Sequence, residues 1–215
     1  MSGAVHTSDT AFDAVALLTS AGGLDALTAV LARLPERFPL PVIAVQHRPP
    51  SAGDALVDIL KRRTTLPVRT IEAGDRLAHP GVGVVSGGCN AIVNAADRYE
   101  LAPTTRTLWP GDALLTSLAF AHGERTIAVV LTGRLNDGTS GIRAIKRRGG
   151  RVIVQDPGSA HAAGMPSSAI ATGCVDFVLP AARIASALIA LVMAPGGDEL
   201  LRVAPPSWAM SPLTG

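Results

Sequence analysis

Three residues of this chain join a reactive side chain to a position where a parallel sheet displays such groups. Ser20 follows the apolar run Ala14–Thr19 and precedes Ala21-Gly22-Gly23 and a helical pattern. A hydroxyl on that tight strand-to-helix turn is placed to act as a nucleophile. The small residues let a substrate approach, and free amides at the helix start can hold an oxyanion. Serine also serves there as a plain helix N-cap. His47 closes the run Pro41–Gln46, where an imidazole is a base suited to neutral pH, or else a half-buried histidine bonded to a neighbouring carbonyl. Asp137 lies in Leu131-Thr132-Gly133-Arg134-Leu135-Asn136-Asp137-Gly138, after the run Thr126–Leu131. Its carboxylate can orient the base and stabilise the imidazolium, or simply make an Asp-Gly turn. The pattern is not the G-x-S-x-G elbow, since Leu18 stands two residues before Ser20. The order Ser, His, Asp is free to vary, because the chemistry asks only for proximity in space.

These residues need strands to carry them. Ala14–Thr19, Pro41–Gln46, Thr126–Leu131 and Arg151–Gln155 are apolar without alternation, as strands buried on both faces are. Val68–Ile71, Gly81–Ser86 and Val175–Val178 read as shorter strands, and Ala91–Asn94 with Tyr99–Leu101 as a hairpin turning at Asp97-Arg98. Helical patterns cover Leu24–Leu34, Gly53–Arg63, Asp112–His122, Ser140–Arg148, Met165–Thr172 and Ala181–Val192. The alternation predicts a doubly wound, mainly parallel α/β sheet with an antiparallel hairpin, in a three-layer α/β/α arrangement. Such sheets bind ligands in the crevice at the carboxyl ends of their strands, where Ser20, His47 and Asp137 would all stand. A flexible leader over 1–11, one domain over 12–194 and an irregular Gly/Pro-rich tail over 195–215 complete the expected organisation.

Composition narrows the class. The 215 residues carry 19 Lys+Arg against 17 Asp+Glu, a formal net charge of +2, so no basic footprint marks a nucleic-acid partner or an anionic membrane surface. Aromatics are 3%, too few for base-stacking platforms, and 47% hydrophobic residues exclude a disordered chain. Cys89 and Cys174 are far apart and lack C-x-x-C spacing, so neither a disulfide framework nor a zinc site is expected. Met1–Thr10 lacks a signal-peptide pattern, and Ile184–Ala194 is too short to cross a bilayer, which reads as a soluble cytoplasmic protein without membrane insertion. His79 and His122 read as surface or capping residues. His161, in a Gly/Ser/Ala-rich stretch, is free to face the same cleft, but no strand end places it there. The runs Lys61-Arg62-Arg63 and Lys146-Arg147-Arg148 read as solvated helix ends.

Ser20-Ala21-Gly22-Gly23, Gln46-His47-Arg48-Pro49-Pro50, Thr132-Gly133-x-x-Asn136-Asp137-Gly138 and Gly164-Met165-Pro166 together resemble the catalytic domain of the CheB chemotaxis methylesterases, over about Ala14 to Val192. The resemblance implies a serine carboxylesterase without cofactor. It would hydrolyse glutamyl methyl esters, and deamidate glutamines, on the cytoplasmic helices of chemoreceptors. It maps the catalytic groups onto Ser20, His47 and Asp137, the oxyanion amides onto Ala21 and Arg134, and substrate contacts onto Gly22, Gly23 and Met165. Several positions depart from the family pattern. Ala21 replaces a threonine, and Arg134-Leu135 stands where Met-Gly is usual. A leucine resists the positive φ that glycine permits, which bears on the loop's shape and on the Arg134 amide. Asn90 takes the place of a histidine, and Trp109-Pro110-Gly111-Asp112 only loosely matches Arg-Pro-Ser-x-Asp. The 215 residues leave no room for the family's receiver domain, so control by a separate receiver protein, or none, is expected.

Two other readings stay open on the sequence. One is a divergent binding or regulatory module, suggested by the altered loop. The other is an esterase for a different ester, in which Arg134 pairs with an acidic group near the scissile bond.

Overall fold

The computed structural model describes residues 10–50, 55–105, 107–204 and 206–207. Most of the expected leader and the last part of the expected tail therefore lie outside the described residues. The first strand, β1 (Ala14–Thr19), is buried along its whole length, as its unbroken apolar run requires. It is followed by α1 (Gly23–Leu31), β2 (Val42–Gln46), α2 (Ala55–Lys61), β3 (Val68–Thr70) and β4 (Val82–Val84). A hairpin, β5 (Cys89–Val93) and β6 (Tyr99–Pro103), leads into α3 (Pro110–His122), β7 (Thr126–Val130) and α4 (Thr139–Arg147). The chain closes through β8 (Arg151–Gln155), α5 (Gly164–Ala171), β9 (Phe177–Leu179), α6 (Ala181–Met193) and a short α7 (Gly197–Leu200).

Seven strands form one sheet in the order β3-β4-β2-β1-β7-β8-β9, and every pairing in it is parallel. The hairpin does not extend this sheet. β5 and β6 pair with each other as a separate two-stranded ribbon, which packs on α3 through Val93 N–H donating to Ser117 Oγ at 3.0 Å. Successive residues of each strand feed opposite cores. Val15 and Leu17 meet Leu27, Leu31, Leu60 and Leu188 of α1, α2 and α6. Ala14, Ala16 and Leu18 meet Leu114, Leu118, Ile142 and Met165 of α3, α4 and α5. That is the expected three-layer arrangement.

The chain winds one way from β1 through β2 and back the other way through β7, so the crevice opens between β1 and β7 at their carboxyl ends. Pro110 begins α3 with its fixed φ after the extended Trp109. The expected irregular tail instead contains the single turn α7, where Gly197 lets the chain lie against the Ala190 carbonyl. His122 bridges two carboxylates rather than merely ending a helix. Nδ1 is 2.9 Å from Asp13 Oδ2, and Nε2 is 3.0 Å from Asp97 Oδ1, close enough for an ion pair though off the line of a hydrogen bond.

The last strand begins at Phe177, later than the apolar run suggests, because Asp176 turns its carboxylate inward. One oxygen pairs with the Lys146 ammonium and the other accepts Val152 N–H at 2.7 Å. Lys146 is thus buried, not a solvated helix-end charge, with its side chain 3% exposed against 0% for Asp176. Removing one member of such a pair leaves a buried charge without compensation, a cost of about 3–5 kcal/mol. Lys146→Met is expected to lower stability by about that amount, read as a lower urea midpoint at unchanged m. An unmoved midpoint would contradict it.

Candidate active site

Ser20 stands one residue beyond β1 and His47 one beyond β2. The strands are in parallel register with Thr19 opposite Gln46, and His47 N–H donates to Thr19 O at 2.9 Å, so the pairing carries straight on to bring Ser20 and His47 side by side. After Ser20 the backbone turns through Gly22 at φ 76° into α1. Glycine is required twice here. Gly22 takes a left-handed conformation under the His161 side chain, and a Cβ on Gly23 would stand 2.6 Å from Thr19 Oγ1.

Asp137 arrives from the loop after β7 and is 5% exposed. Its carboxylate is seated on the start of α3, with Gly111 N–H donating to Oδ2 at 2.9 Å and Asp112 N–H to Oδ1 at 3.0 Å. Those two donors are orphan amides of a helix N-terminus, and the Asp137 carboxylate gives both of them an acceptor. Gly111 is glycine because a Cβ there would meet Asp137 Oδ2 at 2.8 Å. The arrangement is reciprocal. Asp112, in the first turn of α3, accepts Gly141 N–H at 2.8 Å in the first turn of α4, which starts just after Asp137. Burial raises the Asp112 carboxyl above the usual carboxylate range, and the neighbouring Asp137 adds to the shift.

The His47 imidazole, 23% exposed, presents Nε2 at 3.5 Å from Asp137 Oδ2. Its ring lies 5.3 Å from that of Trp109, tilted by 45°, so the residue before α3 walls the base while α3 itself seats the acid. No hydrogen bond joins Ser20 Oγ to His47 among the described residues. Catalytic hydrogen bonds are often long before substrate arrives. A cavity of about 100 Å³ is lined by His47, Arg48, Ser86, Cys89, Thr104 and Pro110. Asn90, next to Cys89 in the sequence, holds the loop before α3 by donating Nδ2–H to Leu108 O at 3.2 Å.

Thr132, at the end of β7, binds three loops together. Its carbonyl accepts Ser20 N–H at 3.0 Å and Thr19 Oγ1–H at 2.8 Å. Its N–H donates to Gln155 Oε1 at 2.9 Å. Its hydroxyl lies 2.9 Å from Ala21 O and accepts Ala162 N–H at 2.9 Å. Gly133 then packs so closely that a Cβ would strike Met165 Sδ and stand 3.0 Å from Ser20 Cβ. The N–H groups of Ala21, which follows Ser20, and of Arg134, which follows Gly133, have no hydrogen-bond partner among the described residues.

Comparison with known proteins shows the family. A family model described as CheB methylesterase matches residues 15–188. The chain belongs to the CheB methylesterase family. A protein-glutamate methylesterase/protein-glutamine glutaminase of Moorella thermoacetica is 38% identical over 192 residues, 86% of this chain and 45% of that protein. Protein-glutamate methylesterase FrzG of Myxococcus xanthus is 37% identical, over 81% of this chain and 53% of its own. The crystal structure of the Thermotoga maritima CheB methylesterase catalytic domain superposes with a TM-score of 0.78 at 33% identity, covering 84% of this chain and 99% of that one. The chain spans about half the length of the curated relatives it matches.

Within the CheB frame, the departure at Arg134-Leu135 resolves differently from the sequence expectation. Leu135 does adopt the glycine-like conformation, at φ 65°, with its side chain 63% exposed. Gly164 makes room for it, since a Cβ there would meet Leu135 N at 2.8 Å. The seat of Asp137, the Thr132 junction and the position of His161 over Gly22 had no signal in local sequence, because each depends on residues brought together from separate loops.

Leucine in the left-handed region costs about 1–2 kcal/mol, of which glycine's greater unfolded-state entropy cancels part. Leu135→Gly is expected to stabilise the protein by about 0.5–1 kcal/mol in thermal or urea melts. A destabilised variant would show that the leucine side chain is held by contacts instead.

Proposed function

We propose that this chain is a cytoplasmic serine carboxylesterase of the CheB type, hydrolysing glutamyl methyl esters and deamidating glutamines on the cytoplasmic helices of chemoreceptors. The observation that carries the reading is the register that sets Ser20 beside His47, with the anchored Asp137 carboxylate 3.5 Å from the imidazole. The names of the relatives, protein-glutamate methylesterase and protein-glutamine glutaminase, support the same substrate. The catalytic unit spans about residues 12–194.

In this mechanism His47 takes the Ser20 hydroxyl proton as Oγ attacks the ester carbonyl carbon. The carbonyl oxygen becomes an oxyanion held by the unpartnered N–H groups of Ala21 and Arg134. His47 returns the proton to the departing methoxide, so methanol leaves and Ser20 is acylated. Water then attacks the acyl carbon and gives a proton to His47. Ser20 recovers that proton as the acid product departs and gives up its remaining proton to solvent. Asp137 holds the imidazole and offsets its charge when protonated. Seating that acid on α3 means it spends little entropy finding the base. Gly23 and Met165 are buried and support the serine loop from below rather than touching substrate as the sequence suggests, and Gly22 lies under His161.

Ser20→Ala is expected to abolish both methyl ester turnover and labelling by a fluorophosphonate. Equal turnover in the variant would sink the reading, and absent labelling together with capture of a partner would point to a binding module. Asp137→Asn is expected to lower kcat by about 10⁴. The amide also replaces one of the two oxygens that receive Gly111 and Asp112 N–H, so a loss of about 1–3 kcal/mol should accompany it in melts. An asparagine variant with full activity would remove Asp137 from the mechanism.

A further inference from the structure

We propose that Arg134 and His161 form a two-sided lip over Ser20 that selects esters carrying a carboxylate beside the scissile bond. The proposal rests on the esterase reading above and concerns the substrate chosen by that same site.

The two residues leave the backbone from one junction. Gly133 N–H donates to Ala162 O at 2.9 Å, so Arg134 and His161 are each one residue from the same hydrogen bond. Both lie against the serine loop. Gly133 touches Ser20, as a Cβ on it would stand 3.0 Å from Ser20 Cβ, and a Cβ on Gly22 would stand 2.5 Å from His161 Cβ. The junction is held in place, with Ala162 N–H donating to Thr132 Oγ1 at 2.9 Å and Met165 N–H to Gly133 O at 2.8 Å.

Arg134 is exposed, and no hydrogen bond or ion pair engages its guanidinium among the described residues. The nearby acid does not neutralise it, because Asp137 is buried and its two oxygens are taken by the amides of Gly111 and Asp112. The next residue, Leu135, is kept at φ 65° with its side chain in solvent. Backbone strain of this kind persists where the surrounding structure imposes it, and it gathers at functional sites.

The chemistry narrows the ligand. A methyl ester is uncharged and gives a guanidinium nothing to pair with, whereas a neighbouring carboxylate accepts charge-assisted, bidentate bonds from it. His161 adds an N–H donor in either protonation state. A carboxylate approaching between them would find charge on one side and a donor on the other.

The test uses two peptides that carry the same glutamyl methyl ester, one with glutamate beside it and one with glutamine. Wild type is expected to favour the glutamate peptide by about fivefold in kcat/KM, a preference that shrinks as salt is raised. Arg134→Met should bring the ratio close to one, Arg134→Glu should reverse it, and His161→Ala should reduce it. Because the readout is a ratio, any change in oxyanion binding by the Arg134 amide affects both peptides and cancels. A ratio unchanged in Arg134→Met overturns the lip while leaving the esterase reading intact. Hydrolysis of neither peptide by folded wild type overturns the esterase reading instead. In that event the affinity of Ser20→Ala for the two peptides, by fluorescence anisotropy, still reads the lip. Preference for glutamate that disappears on adding Arg134→Met supports it, and equal affinity overturns it.

Discussion

Thr132 uses its N–H, its carbonyl and its hydroxyl on three different segments, and the candidate site takes its shape because these bonds close together. Ser20 and Thr19 donate to its carbonyl, Gln155 receives its N–H, and its hydroxyl joins Ala21 to Ala162. Each bond adds only about 0.5–1.5 kcal/mol net, but a buried polar group left without its partner costs more. The loops after β1, β7 and β8 therefore hold one arrangement or lose several bonds at once. The Thr132 hydroxyl is the part that valine, its near isostere, would not supply.

From that junction the sheet does the rest of the positioning. Parallel register carries Thr19 opposite Gln46 and hands Ser20 to His47 with little freedom. Asp137 comes from across the switch point, where register gives no such control. The helices supply it. Asp137 sits on the amides that open α3, and Asp112 of α3 reaches the amide of Gly141 in the first turn of α4. Two acids thereby lock two helix starts to each other. The price is a carboxyl group, Asp112, that burial pushes toward its neutral form.

The loop from Gly133 to Asp137 shows how a family frame tolerates local conflict. Leucine at position 135 opposes its own backbone, yet Gly164 leaves the space and the flanking bonds from Gly133 to Ala162 and Met165 leave no other course. The conflict is kept next to Ser20, where a charged residue, Arg134, is thereby displayed rather than folded away.

Much of this was legible in the sequence. The unbroken apolar runs gave the buried parallel strands and their alternation with helices, since burial on both faces writes itself into local composition. The ends of those runs, and the loop that follows the third, marked Ser20, His47 and Asp137 as candidates. Tertiary structure alone decided how the three are held. Nothing near Asp137 in sequence announces Gly111 and Asp112 as its donors, nothing near Lys146 announces Asp176, and His161 has no local reason to lie over Gly22. Periodicity reports which face a residue buries. It does not report which buried polar atoms, far apart along the chain, must satisfy one another, and that pairing is what turns three strand ends into one site.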